Sequence, residues 1–321
     1  MKRLAVILLS AVLLLCSCTQ KIECELFAMD TYMHLAVYGG SEEMLDDAKA
    51  LISEIDARFS VNGESGDVAM LIKNGRIENP SAGLLEMLEC ARLLYERTNG
   101  AYDVTSLALS RLWEACEKEG REPTEAEING ALALVGMSRI SFDENAVVLN
   151  GVLGVDLGSV AKGYAGRETA ELLEKSGANG GILTLGGNVA VFGKKSDGEP
   201  FKIGITDPNN PTNICGYVEI EKGNVITSGK YNRNFTIGDK VLHHIIDART
   251  GVPCDNGVAS VTVICDDGMW ADALSTALLL LGEQGAIDYY NTYGGFEAVI
   301  VMDDGRIVTT SDALAFYASE N

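Results

Sequence analysis

Short β-type runs dominate the chain from about residue 140 onward, and this feature most limits the folds open to it. Runs of β-branched and apolar residues occupy positions 182–185, 201–206, 217–220, 258–265 and 298–302. Helical periodicity interrupts them twice, at about 160–175 and 271–281. Because strands dominate this half, the sequence predicts an α+β fold, a single large domain in which helices pack on a mixed β-sheet.

The first third of the chain predicts one strand and two helices. Residues 31–38 roughly alternate between polar and apolar, as on a half-buried strand, and two glycines then lead into a helix beginning near Ser41. A second helix follows Ser81, a candidate N-cap, and ends before Gly100. Apolar residues recur at helical spacing in both helices, so we interpret both as scaffold.

The N-terminus has the pattern of a bacterial export signal. Lys2 and Arg3 precede an apolar run of about a dozen residues, where a membrane-spanning helix needs roughly 20. The small Ser17 before Cys18 favours cleavage at that point and lipidation of Cys18, with a simple cleaved signal as the alternative. We therefore predict a signal peptide over 1–17, the lipidated Cys18 and a short tether over 18–28, and one domain over 29–321. Such a protein would be extracytoplasmic and held on a bacterial membrane.

Charge and cysteine content exclude several classes of protein. The formal net charge of −21 becomes −23 once Lys2 and Arg3 are removed, and such a field repels nucleic acid. An anionic ligand would then need a local cation. The six cysteines that follow Cys18 contain no CxxC pair, so neither a zinc site nor a redox pair is predicted, and we expect them to be unpaired.

Two glycine-bearing segments could approach a ligand closely. Asp156 is expected at the end of a strand, and Lys162 after a glycine turn in the first turn of a helix, where free backbone N–H groups suit a phosphate. The alternative is a capped helix whose glycines only allow tight packing. Residues 184–188 predict a hairpin or bulge around Gly186-Gly187. No GxGxxG motif follows a predicted strand, so a Rossmann nucleotide site has little support.

The segment 243–251 places two of the three histidines beside an acid and a guanidinium. A histidine at a strand end can accept a proton near neutral pH, and Arg249 can pair a phosphate. The alternative is a turn in which Asp247 caps backbone N–H groups and Arg249 pairs an acid.

The helix that begins near residue 271 places Asp272 and Thr276 on one face, at i and i+4. Both side chains present hard oxygens of the kind that Mg²⁺ prefers. The alternative for Asp272 is an acid that only stabilises the helix N-terminus.

Taken in order, these segments resemble the ApbE family, the FAD:protein FMN transferases, over nearly the whole chain after Cys18. The segments that carry the resemblance are 29–31, 100–105, 156–164, 186–188, 203–208, 227–231, 244–253 and 271–276.

The resemblance implies a single domain similar to the T-fold, with FAD as substrate in a cleft and Mg²⁺ near its diphosphate. It implies that Asp272, Thr276 and the backbone carbonyl of Ser159 hold the metal, and that His244, Lys162 and Asp272 serve catalysis. The implied FAD site comprises Met29, Asn62, Ala101, Tyr102, Asp103, Asp156, Lys162, Ile245, Ile246 and Arg249.

The reaction implied is transfer of FMN from FAD to a threonine hydroxyl of an acceptor redox flavoprotein, with release of AMP. A base such as His244 would take the hydroxyl proton, because an unassisted threonine is a poor nucleophile.

Two residues depart from the family pattern, and they leave open which reaction the chain catalyses. Asp30 stands where glycine is frequent, and Asn62 stands where many transferases have an aromatic residue. A polar residue at that position accompanies hydrolysis of FAD to FMN and AMP in some similar lipoproteins, so a Mg²⁺-dependent FAD pyrophosphatase is one alternative. A lipoprotein that binds flavin without turnover is another.

Overall fold

The computed structural model describes residues 21–195, 197–238, 240–312 and 314–319. The predicted signal peptide over 1–17 and the predicted lipidation site Cys18 lie outside the described residues.

In the described residues, six of the seven α-helices precede residue 176 and most of the strands follow it. The α-helices are α1 (Glu42–Phe59), α2 (Asp67–Asn74), α3 (Ala82–Arg97), α4 (Leu107–Glu119), α5 (Glu125–Leu132), α6 (Ala161–Lys175) and α7 (Gly268–Tyr293). The first nine strands are β1 (Lys21–Ala28), β2 (Thr31–Tyr38), β3 (Arg76–Glu78), β4 (Ile140–Phe142), β5 (Ala146–Leu149), β6 (Gly180–Leu185), β7 (Asn188–Gly193), β8 (Phe201–Thr206) and β9 (Ile214–Ile220). The remaining strands are β10 (Gly223–Gly229), β11 (Asn234–Ile237), β12 (Lys240–His243), β13 (Ile246–Asp247), β14 (Val252–Pro253), β15 (Val258–Cys265), β16 (Glu297–Met302), β17 (Ile307–Thr309) and β18 (Phe316–Ala318).

An eight-stranded sheet forms the centre of the fold, with the strand order β1-β2-β6-β7-β10-β15-β16-β17. All seven pairings between these neighbours are antiparallel, where the sequence had led us to expect a mixed sheet. Four smaller sheets accompany it in the described residues. Two have three strands, in the orders β3-β5-β4 and β18-β9-β8, and two are the pairs β11-β12 and β13-β14. The α+β class predicted from the sequence is confirmed.

The two faces of the large sheet bury different partners, because successive side chains of a strand point to opposite faces. On one face, Ala190 and Phe192 join the main core, which includes residues of α1, α3, α6 and α7. On the other face, Val191 packs in a separate cluster with Phe201 and Val218 of the three-stranded sheet β18-β9-β8. Helices thus cover one face of the large sheet, and this small sheet covers part of the other.

Several predicted element boundaries are confirmed. Ser41 and Ser81 are N-caps whose hydroxyls accept hydrogen bonds from Met44 N and Leu84 N, at 3.4 and 3.3 Å. The predicted strands over 31–38, 201–206 and 258–265 have the same bounds in the structure. The last helix is longer than predicted and continues through a kink at Gly282, whose φ is 76°.

Before residue 140 the prediction missed two strands, β1 and β3, and three α-helices. The segment Lys21–Ala28 is not a tether but an edge strand that pairs with β2 along its whole length. Its apolar residues alternate with exposed Glu23 and Glu25, and such a short, half-exposed pattern gives a weak signal. The helices α2, α4 and α5 were also missed; α5 carries a full capping box between Thr124 and Glu127.

In the described ranges, no helix is both long and apolar enough to cross a membrane. The six cysteines found there are free.

Candidate active site

A cavity of about 550 Å³ opens where the β1–β2 turn, the starts of α6 and α7, and the segment 244–246 meet. Its volume lies within the range of roughly 300–1,000 Å³ that is usual for sites of small molecules and cofactors. Twelve of the site residues predicted from the sequence line it: Met29, Asn62, Tyr102, Asp103, Asp156, Ser159, Lys162, His244, Ile245, Ile246, Asp272 and Thr276.

Two predicted FAD-site residues do not line the cavity. Ala101 is fully buried in the main core. Arg249 pairs with Asp247 instead, with 2.6 Å between Nη2 and Oδ2, and its backbone N–H also donates to Asp247 at 2.9 Å. These contacts match the alternative interpretation, a turn closed by Asp247, because the carboxylate neutralises the guanidinium that a phosphate would otherwise pair.

The starts of α6 and α7 meet at two glycines beside Asp272. A Cβ added to Gly163 would lie 2.0 Å from the carbonyl oxygen of Gly268 and 2.6 Å from Asp272 Cβ. Gly163 N–H donates to Asp272 Oδ2 at 2.8 Å, and Asp272 is only 3% exposed. The glycine therefore allows the helices to approach closely enough for α6 to hold the Asp272 carboxylate at the cavity wall.

Three hydroxyl groups link Asp272 to Thr276 in one chain of hydrogen bonds. Ser275 Oγ donates to the carbonyl oxygen of Asp272, and Ser228 Oγ lies 2.8 Å from both Ser275 Oγ and Thr276 Oγ1. Each hydroxyl has one proton. Because Ser275 has used its own, Ser228 must donate to Ser275, and Thr276 must donate to Ser228. The remaining lone pairs of Thr276 Oγ1 are then free to face a cation.

Ser159 completes the donor set predicted for a metal. Its hydroxyl lies 3.0 Å from the hydroxyl of buried Tyr102, within hydrogen-bond distance. Because the side chain has this partner, the backbone carbonyl is the group of Ser159 that we expect to bind a metal. No group of three or more His, Cys, Asp or Glu residues suited to a metal occurs in the described ranges. One carboxylate with neutral oxygens is nevertheless a donor set that suits Mg²⁺, which keeps several waters and binds substrate phosphates.

The charge of the cavity wall also fits a resident cation. The acidic side chains on the wall are Asp30, Asp56, Asp103, Glu114, Glu117, Asp156 and Asp272, against two basic ones, Lys162 and Arg233. Such a wall repels a diphosphate unless further positive charge is present.

Two acids of the predicted FAD site organise the backbone around them. Asp103 accepts hydrogen bonds from the backbone N–H groups of Thr105 and Met137, at 2.8 and 3.0 Å. Burial raises the pKa of Asp103, and these hydrogen bonds oppose the shift. Asp156 accepts from Gly158 N–H at 2.9 Å and thereby closes the turn before α6. Lys162 Nζ donates to the carbonyl of Gly158 at 3.0 Å, so the same turn positions the ammonium group of Lys162 at the cavity.

The neighbouring histidines have different environments. His243 is buried: its Nδ1 accepts from Ile245 N–H at 3.3 Å, and Nε2 donates to the carbonyl of Cys254 at 2.7 Å. His244 lines the cavity and remains open to solvent there, although the surrounding walls remove much of its water. That burial, followed by the positive charge of Arg233, lowers the pKa of His244 to about 4. His244 is therefore neutral at pH 7 and can accept a proton.

We expect the ring of His244 to titrate with a pKa of about 4 in the FAD-free protein. An NMR titration of ring-labelled protein measures this value directly. Removing the positive charge in Arg233→Gln should raise the pKa of His244, because that charge disfavours the imidazolium. An ordinary pKa near 6.5 for His244 in the unchanged protein would show that the cavity walls and Arg233 do not disfavour the imidazolium as described above.

Sequence reasoning missed several residues of the cavity wall. Asn188 is 4% exposed, and its amide Nδ2 has no hydrogen-bond partner within the described part of the chain. It follows Gly186-Gly187 in the β6–β7 turn, which the sequence did single out. Ser228 lies in the segment 227–231, which carries the family resemblance but was given no role in the site. Asp56 and Arg233 gave no comparable signal, because nothing in their local sequence distinguishes them from ordinary surface residues.

The fold and the cavity define a class, an α+β protein with a polar cavity of the size usual for small molecules and cofactors, and the comparisons with known proteins agree with it. The model of the ApbE family matches residues 29–300. The chain belongs to the ApbE family.

Two relatives illustrate the sequence similarity. The FAD:protein FMN transferase of Haemophilus influenzae is 29% identical over 285 residues, which cover 85% of this chain and 82% of the relative. A second, from Klebsiella pneumoniae, is 27% identical over 284 residues, covering 86% of this chain and 88% of the relative.

Two crystal structures show the same fold. The ApbE protein of Thermotoga maritima superposes with a TM-score of 0.82 at 31% identity, covering 90% of this chain and 96% of the other. The flavinyl transferase ApbE of Pseudomonas stutzeri superposes with a TM-score of 0.78 at 25% identity, covering 92% and 95%. The fold and the family are thus established together, and the family is one of flavin-transferring enzymes.

Proposed function

We propose that this protein transfers the FMN moiety of FAD to a threonine hydroxyl of an acceptor flavoprotein and releases AMP. The observation that carries this proposal is the convergence of Asp272, Thr276, Ser159, Lys162 and His244 on one cavity, although they come from three distant stretches of the chain. The names of the relatives described above support flavin transfer, and the threonine target and the metal are our extension of it.

In the proposed reaction the threonine oxygen attacks the phosphorus of the FMN half of the diphosphate. A P–O bond forms to the acceptor, and the bond from that phosphorus to the bridging oxygen breaks, so AMP leaves with the bridging oxygen. His244 takes the threonine proton, which its neutral ring can do at pH 7. Lys162, held by the turn at Gly158, offers positive charge to the phosphates.

Asp272, Thr276 and the carbonyl of Ser159 are the residues that would hold Mg²⁺. When bound, this ion would neutralise charge on the diphosphate oxygens. The contributions of the chain itself are the carboxylate held by Gly163 N–H and the hydroxyl whose proton is directed toward Ser228.

The direct test is to incubate purified protein with FAD and Mg²⁺, with and without an exported flavoprotein that carries candidate threonines. We expect AMP release to be slow without the acceptor and faster with it. Flavin fluorescence that remains on the acceptor after denaturation should increase at the same rate as AMP. Rapid accumulation of free FMN without an acceptor would instead show that transfer is not the principal activity.

Asn62 favours a second candidate, a Mg²⁺-dependent FAD pyrophosphatase. Asn62 lines the cavity with a polar side chain, and its backbone N–H donates to Ser60 Oγ at 3.2 Å. Water would then replace the threonine as the attacking group, with the same AMP leaving group. The incubation without acceptor distinguishes the two activities.

We also propose that the mature protein is anchored to a bacterial membrane on its extracytoplasmic side through acyl chains on Cys18. The support is the sequence pattern alone: a basic start, a short apolar run and the small residue before the cysteine. Metabolic labelling with a fatty acid, compared between the natural chain and Cys18→Ala, tests it. Equal labelling of the two would refute this anchor.

A further inference from the structure

The β1–β2 turn at the cavity has an unusual backbone. Met29 and Asp30 both have positive φ, at 50° and 57°, in a two-residue hairpin loop in which Ala28 pairs with Thr31. Hairpins of this type require left-handed backbone at both central positions, and glycine or asparagine usually occupies them. Methionine and aspartate pay a conformational cost there, so this turn needs support from its surroundings.

Contacts with three other parts of the chain support the turn. Asp56 Oδ2 accepts a hydrogen bond from Met29 N–H at 2.9 Å. Gly186 N–H donates to the carbonyl of Tyr32 at 3.2 Å just after the turn. Arg233 Nη2 lies 3.9 Å from Asp30 Oδ2, but both of those side chains are mostly exposed, so this pair contributes little.

Asp56 is the contact best placed to determine the conformation of the turn. It lies in the last turns of α1, between Ile55 and Phe59, which are 4% and 5% exposed and anchor that end of the helix in the main core. Its acceptor atom is therefore carried by a rigid element rather than by a loop. The residue also lines the cavity, beside the turn that it holds.

We propose that Asp56 is a positioning residue, whose carboxylate holds the Met29–Asp30 turn in the left-handed conformation that forms the FAD-facing wall of the cavity. This inference rests on the proposed function for the identity of the ligand. The conformation of the turn itself is a property of the protein without FAD. A hydrogen bond to a carboxylate is stronger than a neutral one, so its loss should release the turn.

The first measurement needs no ligand. In FAD-free protein we expect Asp56→Ala to accelerate hydrogen exchange of the Met29 amide at least tenfold, since the loss of a hydrogen bond to a charged group corresponds to roughly that factor in an equilibrium. Asp56→Asn retains an acceptor oxygen and should preserve most of the protection. Unchanged exchange in Asp56→Ala would overturn the proposal.

The second measurement is FAD affinity, from the quenching of flavin fluorescence, together with KM and kcat. We expect Asp56→Ala to weaken FAD binding and to raise KM by roughly tenfold with a much smaller change in kcat, and Asp56→Asn to restore most of the affinity. Asp46→Ala is the matched control: Asp46 lies on α1, is 71% exposed and pairs only with Lys49 at 2.6 Å among the contacts described. It should leave both exchange and affinity unchanged.

A second substitution separates support of the turn from direct contact with FAD. Glycine adopts positive φ without strain, so in an Asp30→Gly background the turn depends less on its support. Asp56→Ala should then cost clearly less affinity than it does in the natural background.

An undiminished loss in the Asp30→Gly background would show that Asp56 contacts FAD itself and would overturn the positioning role. If the natural protein shows a protected Met29 amide that Asp56→Ala releases, but no affinity for FAD, the proposed function fails and the support of the turn by Asp56 stands.

Discussion

His244→Ala is expected to slow FMN transfer by roughly 10²- to 10⁴-fold, the usual contribution of a general base. The reason is the position of the ring: of two adjacent histidines, only His244 faces the cavity. Its pKa of about 4 keeps it neutral at pH 7, so it is ready to take the threonine proton. FAD affinity should change by less than about threefold, because a proton acceptor acts mainly on the transition state.

Single-turnover kinetics beside a fluorescence titration with FAD measure the two quantities separately. Added imidazole should partly restore the rate of His244→Ala, since a free base can enter the space left by the ring. His243 is unsuitable as a control, because both of its ring nitrogens hold backbone groups and its loss would disturb the fold. Equal losses of FAD affinity and of rate in His244→Ala would make His244 a binding residue rather than a base.

Asp272→Ala is expected to lose most metal-dependent activity, with a fall of roughly 100-fold or more at subsaturating Mg²⁺. The carboxylate is the only one among the three predicted metal donors, and Mg²⁺ usually binds through just one or two carboxylates. The same change leaves Gly163 N–H without its acceptor at 2.8 Å, so alanine also disturbs the α6–α7 contact.

Asp272→Asn separates these two effects, because an amide oxygen can still accept from Gly163 N–H but carries no charge. We expect Asp272→Asn to keep a melting temperature close to that of the natural protein and to share the metal defect of Asp272→Ala. Binding of Mn²⁺, followed by electron paramagnetic resonance, measures the defect without turnover. Unchanged Mn²⁺ affinity and unchanged activity at limiting Mg²⁺ in Asp272→Asn would show that the ligand assignment is wrong.

The predictions from sequence were best where a pattern is local. Ser41 and Ser81 cap helices, and residues 258–265 form a buried strand. Each signal, a capping residue or a run of β-branched and apolar residues, lies within a few residues of the chain. Edge strand β1 and the helices α2 and α5, of eight residues each, were missed because their patterns are short or half-exposed. The helix α4, with 13 residues, was also missed.

The candidate site was predicted only in part. The segments around Ser159, His244 and Asp272 could be named in advance, since their motifs are contiguous and resemble those of one family. Arg249 shows the limit of that approach: a guanidinium in a motif can serve a phosphate or a neighbouring acid, and Asp247 two residues away takes it here. Asp56 is a site residue that the sequence could not indicate, because its partner Met29 lies 27 residues away and no local pattern joins them.

The amino-acid sequence by itself determined the types of most elements, the acidic charge and the motifs that indicate a flavin-transferring family. Tertiary structure alone decided which of these groups meet. It made all neighbours in the eight-stranded sheet antiparallel, turned His244 rather than His243 toward the cavity, and brought Gly163 against Asp272 over 109 residues of separation. The physical reason is that periodicity depends on neighbours in the chain, whereas hydrogen-bond direction, burial and shifts in pKa depend on contacts that exist only after the sheet and helices have packed.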